Sequence, residues 1–202
     1  SIPIKFHSNN ESFLNKLKEY LPSEWLIDDS KNSLIDCKNV YHFGLKDWNS
    51  SIEFDDEESS LTHQIEGHTI QRDFVAFKNE NATLCSFDAT LDDGAHNFFR
   101  WYLSPLLIQK NKLMIHSSAI LSHDSKKVYL FFGPSGAGKT TISELAAPRK
   151  ILSDDMNVLH FEKGELLCSA GGVGGLYKPQ VPIDKKYKIE NIFWLIQDKH
   201  SS

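Results

Sequence analysis

Cysteines, long apolar runs and positive charge are all scarce in this chain of 202 residues. The three cysteines, Cys37, Cys85 and Cys168, are scattered and show no metal-ligand spacing, so we expect the reduced thiols of a cytosolic protein. No apolar run approaches the length that crosses a bilayer. The start, from Ser1 to Lys5, has no long apolar core of the kind found in secretory signal peptides. These absences predict a cytoplasmic protein without a membrane partner.

An excess of positive charge would be expected of a general nucleic-acid binder, and this chain has the opposite balance. It carries 22 Lys and Arg against 27 Asp and Glu, which gives a net charge of −5. We therefore expect no nucleic-acid partner. The hydrophobic share of 40% is ordinary for a globular protein, and the length suits one large domain or two small ones.

The first half of the chain predicts an α+β domain over residues 1–109, whose role the sequence does not give. Apolar residues at helical spacing predict a helix over 10–21, which Pro22 ends. Segments rich in β-branched and aromatic residues predict strands. These segments are 33–37, 40–43, 68–70, 74–77 and 83–87. The acidic run 55–58 is interpreted as a solvated loop rather than a metal site.

A second predicted helix covers 93–109, and we expect Pro105 to kink or split it. A second domain is predicted from there, over 110–202. Its strand segments would be 112–121, 128–132, 151–155, 158–161, 166–168 and 192–196, with turns at 122–127 and 163–164. The helix that begins after Lys139 should be short, because Pro148 would stop it.

The run Gly-Pro-Ser-Gly-Ala-Gly-Lys-Thr, from Gly133 to Thr140, is the most informative stretch. A strand pattern precedes it and a helix pattern follows, which is the context of a phosphate-binding P-loop and disfavours a chance glycine-rich turn. Glycines let the backbone aim N–H groups at phosphate oxygens. The residues expected to bind the nucleotide are Gly133, Ser135, Gly136, Ala137, Gly138, Lys139, Thr140 and Thr141. Lys139, in an exposed loop, would reach the phosphates, and the Thr140 hydroxyl would hold Mg²⁺.

Two adjacent carboxylates, Asp154 and Asp155, end a predicted strand 15 residues after Lys139. Only one short helix and one turn fit in that gap, so we expect this strand to return beside the strand of the P-loop. One carboxylate could take the proton of an attacking hydroxyl while the other coordinates Mg²⁺. A helix cap or a simple turn is the alternative interpretation.

His116 lies within the predicted strand 112–121. A lone histidine among apolar residues is more often a core residue than a catalytic one. We expect its strand to pair with the P-loop strand through the turn at 122–127. That pairing would bring the imidazole near the site, where it could tune a carboxylate.

The order His116-Ser117-Ser118-Ala119, then Gly133 to Thr140, then Leu152-Ser153-Asp154-Asp155 resembles the catalytic domain of HPr kinase/phosphorylase. It is still more similar to shorter HPr kinase-related serine kinases, including those that phosphorylate precursor peptides in lasso-peptide clusters. The resemblance covers about 110–160. It implies a phosphoenolpyruvate-carboxykinase-like P-loop fold with a mixed sheet, and ATP-dependent phosphorylation of a Ser hydroxyl.

The resemblance also implies roles for individual residues. Asp154 would be the general base, with His116 and Asp155 supporting it. Lys139 would neutralise phosphate charge, while Thr140 and Asp155 would hold the metal. HPr kinases carry a Glu-x-Arg-Gly-x-Gly-like signature after the Asp pair, but residues 169–175 lack both the Glu and the Arg, so a second metal ligand is not identified.

Two expectations concern the end of the chain. The glycine-rich run 171–175 predicts a flexible loop. Relatives continue beyond the position of Ser202 with further helices, so we expect the C-terminus to be truncated.

The sequence therefore predicts an α/β protein that uses ATP and Mg²⁺ to phosphorylate a Ser of a protein or peptide. Two alternatives remain open. One is a small-molecule kinase on the same scaffold, and the other is a nucleotide-binding regulatory module without transferase activity. Whether the protein forms a homo-oligomer is also left open.

Overall fold

The computed structural model describes residues 3–26, 38–43, 63–65, 67–71, 74–78, 82–87 and 92–196. The predicted strand 33–37 and the acidic run 55–58 lie outside these residues. The chain divides into two compact units, Ser1–Trp101 and Tyr102–Ser202. The folding domains 1–109 and 110–202 stay a prediction. None of the helices described here is long and apolar enough to span a bilayer.

The first unit contains a mixed sheet of six strands. The strands are β1 (Ile4–Ser8), β2 (Lys38–Phe43), β3 (His63–Ile65), β4 (His68–Gln71), β5 (Phe74–Lys78) and β6 (Ala82–Phe87). Their order is β1-β2-β6-β5-β4-β3, with β1, β2 and β6 parallel and the remaining pairs antiparallel. The predicted strands over 40–43, 68–70, 74–77 and 83–87 are confirmed.

The first helix, α1 (Glu11–Tyr20), follows β1 and is confirmed as predicted. It begins at Asn10, whose side-chain oxygen accepts a hydrogen bond from the Phe13 N–H at 3.1 Å. Such a cap satisfies one of the free donors of a first helical turn. Phe13 is buried, and its ring stacks on His42 of β2 at 3.6 Å between ring centroids.

The second helix, α2 (Asp92–Ile108), contains the boundary between the two units. Pro105 lies inside it, and the prediction that Pro105 would split this helix is wrong. Proline removes one i→i−4 hydrogen bond. The next turn still forms, because the Gln109 N–H donates to the Pro105 carbonyl at 3.2 Å.

The second unit contains a seven-stranded mixed sheet among the described residues. Its elements are β7 (Lys112–His116), β8 (Ser118–Leu121), β9 (Lys127–Phe132), α3 (Lys139–Glu144), β10 (Ile151–Ser153), β11 (Met156–Glu162), β12 (Glu165–Ala170) and β13 (Tyr187–Trp194). The order is β10-β8-β9-β13-β12-β11-β7, and only β9 and β13 pair in parallel. The mixed sheet that the resemblance implies is therefore present.

One prediction about strand neighbours is confirmed in part and another is wrong. Residues 118–121 pair with β9, the strand before the glycine loop, through the turn at 122–127, as the sequence predicts. The expected single strand 112–121 is two strands, because the chain changes partners at Ser117: β7 pairs with β11, whereas β8 pairs with β9 and β10. His116, on β7, is therefore not on a neighbour of β9, the strand that precedes the glycine loop. The strand that precedes Asp154 does not lie beside β9 either, since β8 separates them.

The remaining local predictions hold with shifted bounds. The helix α3 has six residues and ends at Glu144, before Pro148 is reached. Lys163 and Gly164, with φ of 51° and 78°, form the two-residue turn between β11 and β12. The last strand spans Tyr187–Trp194 rather than 192–196.

The core of the second unit lies on the sheet around β8, β9 and β10. Its fully buried apolar side chains include Leu121, Val128, Leu130 and Leu152. The outer strand β10 is covered by the segment after residue 175. There Gln180 exchanges two hydrogen bonds with Ile151, one through its N–H at 3.1 Å and one through its side-chain oxygen at 3.0 Å.

Candidate functional site

The glycine loop, Gly133–Gly138, joins the end of β9 to the start of α3. Gly136 and Gly138 have φ of 78° and 98°, backbone angles that residues other than glycine rarely adopt. A Cβ built on either residue would have no atom within 4 Å. At Gly133 a Cβ would instead lie 2.9 Å from the Leu195 carbonyl oxygen. The base of the loop is thus tightly packed, while its tip borders open space.

Lys139 begins α3 and folds its amine back over the glycine loop. Its Nζ donates to the carbonyl oxygens of Gly133 at 2.8 Å and Pro134 at 3.0 Å. The residue is only 7% exposed, so the expectation of an exposed lysine is wrong. The two carbonyls compensate the buried ammonium group. Among the neighbouring residues of the predicted site, Ser135 and Thr141 are exposed and Thr140 is half-buried.

A buried pair of hydroxyls connects α3 to the sheet. Ser118 Oγ, at the start of β8, lies 2.7 Å from Ser143 Oγ on α3. Ser143 Oγ also donates to the Lys139 carbonyl oxygen at 3.4 Å. Both serines are at most 2% exposed. This contact fixes the helix that carries Lys139 to the strand that follows His116 and Ser117.

Asp154 is 4% exposed and accepts two backbone hydrogen bonds. Its Oδ2 accepts from the Leu176 N–H at 2.9 Å, and its Oδ1 accepts from the Tyr177 N–H at 3.2 Å. Burial raises the pKa of Asp154, and these two N–H groups oppose that change. A Cβ on Gly175 would lie 2.1 Å from Asp154 Oδ1. The carboxylate therefore anchors the segment around Gly175.

Asp155 has a different environment, although it is the next residue. Its Oδ1 lies 3.1 Å from Nε2 of His116, and its side chain is 19% exposed against 47% for the histidine. The structure thus brings His116 and Asp155 together, as the sequence predicts for the imidazole and a carboxylate. They meet because His116 ends β7 and is in register with Met156, the first residue of β11.

The single residue between β7 and β8 is Ser117, which is fully buried. Its N–H donates to the Asp155 carbonyl oxygen at 2.7 Å. The Asn157 side-chain amide donates to the Ser117 carbonyl oxygen at 2.6 Å and to its hydroxyl at 3.1 Å. The polar groups at the point where the chain changes sheet partners are thereby satisfied.

The glycine-rich run 171–175, for which the sequence predicts a flexible loop, is packed at several points. Val173 is 1% exposed, and the Gly171 N–H donates to the Met156 carbonyl oxygen at 2.9 Å. A Cβ on Gly171 would lie 2.4 Å from that same oxygen. Glycine is required here for close backbone contact rather than for mobility alone.

Sequence reasoning assigns no role to Ser117, Ser118, Ser143 or Asn157. Ser117 and Ser118 follow His116 in the order that carries the resemblance, yet nothing in that order shows what they contact. Asn157 gives the clearest missed signal, since it is a polar residue within an apolar strand and buried polar groups need partners.

The glycine loop and the Asp155 carboxylate suit a phosphorylated ligand with a divalent cation. Mg²⁺ usually takes one or two carboxylates and leaves its other positions to phosphates and water. Within the described residues no group of three or more His, Cys, Asp or Glu side chains could hold a metal by itself. The open tip of the glycine loop offers space for phosphate, and Asp155 is the more exposed of the two carboxylates.

Comparison with known proteins indicates an ATP-binding, kinase-like domain. The family model of phosphoenolpyruvate carboxykinase matches residues 95–189, a span that contains the glycine loop, Asp154, Asp155 and His116. No curated protein matches the chain. The two mixed sheets and few helices are compatible with a phosphoenolpyruvate carboxykinase-like kinase fold. That family uses ATP and a divalent metal, and the match suggests ATP-dependent, kinase- or carboxykinase-like activity.

Proposed function

We propose that this protein is an Mg²⁺-ATP-dependent kinase that transfers the γ-phosphate to a Ser hydroxyl of a protein or peptide. The observation that carries the proposal is the arrangement around Ser117 and Ser118. Ser118 connects to the helix that bears Lys139, and Ser117 connects to Asp155, which pairs with His116. Lys139, which would bind phosphate, and the carboxylate–imidazole pair are thus connected to two consecutive residues.

The glycine loop would hold the phosphates as a P-loop. Its tip is open at Gly136 and Gly138, where a side chain would occupy the space that a phosphate needs. Lys139 would exchange the Gly133 and Pro134 carbonyls for phosphate oxygens, which are stronger acceptors for an ammonium group. This exchange keeps the buried charge compensated with and without nucleotide.

Bound Mg²⁺-ATP would supply the transferable phosphoryl group and a cation that offsets its charge. The Thr140 hydroxyl would hold that cation, as the corresponding Ser or Thr hydroxyl does in P-loops. Most of the protein's contribution to such a reaction is positioning and charge stabilisation.

For the proton of the acceptor hydroxyl we propose Asp155, supported by His116. A base must reach the acceptor, and Asp155 is more exposed than Asp154, the other aspartate of the site. Asp154 is buried, and each of its oxygens already accepts a backbone hydrogen bond, from the Leu176 or the Tyr177 N–H. The assignment implied by resemblance, with Asp154 as base and Asp155 as metal ligand, is the alternative.

A small-molecule kinase is the second candidate. The family match favours it, because the matched family, phosphoenolpyruvate carboxykinase, is named after a small molecule. The serine acceptor is supported by the order of His116, the glycine loop and the Asp pair. A binding module without transferase activity would keep the nucleotide site and show no transfer.

Calorimetric titration with Mg²⁺-ATP tests the nucleotide site, and a transfer assay tests the acceptor. Lys139→Met keeps most of the buried stem and removes the charge, so we expect it to abolish ATP binding. Lys150→Ala, at an exposed lysine outside the loop, is the control and should bind normally. Unchanged affinity in Lys139→Met would overturn the nucleotide site. Labelled ATP with a Ser-containing peptide library and a panel of small hydroxy compounds then separates the two kinases.

A further inference from the structure

We infer that Asn157 is a positioning residue that keeps His116 and Asp155 in contact by holding Ser117. The inference rests on the proposed function and extends it to a residue that touches neither nucleotide nor acceptor in that scheme. Asn157 is fully buried on β11, one residue after the strand begins.

The need for such a residue follows from the change of strand partners. The chain pairs with β11 as far as His116, the end of β7, and with β9 and β10 from Ser118, the start of β8. Ser117 lies between these two residues and belongs to neither β7 nor β8. Buried polar groups outside a strand ladder need other partners. The Asn157 amide supplies them for both the carbonyl oxygen and the hydroxyl of Ser117, at 2.6 and 3.1 Å.

Ser117 connects Asn157 to the proposed base, because the Ser117 N–H donates to the main-chain oxygen of Asp155 at 2.7 Å. Two contacts then join the end of β7 to Asp155. One is this main-chain hydrogen bond, and the other is the 3.1 Å contact between His116 Nε2 and Asp155 Oδ1. Loss of the support beneath Ser117 would shift His116 relative to Asp155 while leaving both side chains present.

The same sheet provides a matched control. His160 Nε2 and Ser169 Oγ form a hydrogen bond of 2.7 Å between β11 and β12, and both residues are 5% exposed. Ser169→Ala removes a buried polar contact of similar kind that does not touch Ser117. A general loss of stability should appear in both variants, but a positioning effect should appear only in Asn157→Ala.

Two readouts on the full chain test the inference. In Asn157→Ala we expect kcat for phosphate transfer to fall about 10- to 100-fold with little change in the KM for ATP, as misplacement of reacting groups does. We also expect hydrogen exchange at the Ser117 amide, followed by NMR, to accelerate. Ser169→Ala should change neither. If Asn157→Ala does not fold, Ser117→Ala serves instead, because it removes only the hydroxyl partner and should give a smaller loss.

The inference is overturned if the Ser117 amide stays protected in Asn157→Ala, or if Ser169→Ala lowers kcat equally. If the wild-type chain transfers no phosphate, the proposed function fails. The exchange comparison still decides the positioning claim in that case, because it needs no substrate.

Discussion

Nε2 of His116, the last residue of β7, lies 3.1 Å from Oδ1 of Asp155, which immediately precedes β11. The neighbouring carboxylate, Asp154, is turned towards the backbone N–H groups of Leu176 and Tyr177. Two adjacent aspartates thus have separate environments, one paired with an imidazole and the other anchoring a loop. This difference leads to distinct expectations for their substitution.

Asp155→Asn should lower kcat by about 10²- to 10⁴-fold, the usual contribution of a general base, with little change in ATP affinity. Asparagine keeps the shape and the contact with His116 but removes the basicity. Steady-state kinetics and calorimetric titration measure the two effects separately. A loss of Mg²⁺-ATP affinity together with kcat would instead identify Asp155 as a metal ligand.

Asp154→Asn should act mainly on stability. An amide can accept from only one of the Leu176 and Tyr177 N–H groups, so a buried donor loses its partner at a cost of about 1–3 kcal/mol. Denaturant unfolding measures this loss. If Asp154→Asn keeps its stability and shows the pure kcat loss, the roles of the two aspartates are reversed.

Gly175→Ala should destabilise the protein by about 3 kcal/mol. About 1 kcal/mol would come from the φ of 86°, and about 2 from the overlap of the new Cβ with Asp154. Gly164→Ala is the control, since Gly164 has a similar φ of 78° and free space around its Cβ position. It should cost about 1 kcal/mol. Equal losses in the two variants would show that Asp154 does not constrain residue 175.

Ser118 and Ser143 should behave as a coupled pair. Removal of either hydroxyl leaves the other buried without this partner, so we expect each alanine substitution to cost about 1–2 kcal/mol. The double variant should cost less than the sum, because it leaves no orphaned hydroxyl at this contact. A double-mutant cycle by denaturant unfolding measures the coupling, and strict additivity would contradict the contact.

His160 should make stability depend on pH. Burial, with Lys112 and Lys186 nearby, lowers the pKa of His160 from 6.5 to about 4, against the opposing effect of Glu162. The unfolded chain then binds a proton between these values while the folded chain does not, so stability falls as the pH falls from 6.5 to 4. The loss should reach about 3 kcal/mol. His160→Gln should lack this part of the pH dependence, and parallel curves for the two proteins would contradict it.

Local patterns predict much of this fold because their causes are local. The strand β9, the glycine loop and the start of α3 follow from apolar residues, glycines and a helix pattern within one short stretch. The partner change at Ser117 is not local. The largely apolar run from Lys112 to Leu121 continues through it, so the sequence predicts one strand where two exist.

The candidate site likewise has one part that local sequence predicts and another part that it does not. The sequence identifies Lys139, Asp154, Asp155 and His116 as candidates, since their residue types and order suit phosphoryl transfer. It cannot distinguish the environments of the two aspartates. Those depend on Leu176, about 20 residues downstream, and on His116, about 40 residues upstream.

The junction at Ser117 also constrains the length of the chain, independently of which residues occupy it. Side chains alternate along a strand, so one residue inserted beside Ser117 would turn every side chain of β8 to the opposite face or move His116 away from Asp155. A residue added between Lys163 and Gly164 would only lengthen an exposed hairpin. Related chains should therefore vary in length at the hairpin and remain constant in length from His116 to Ser118.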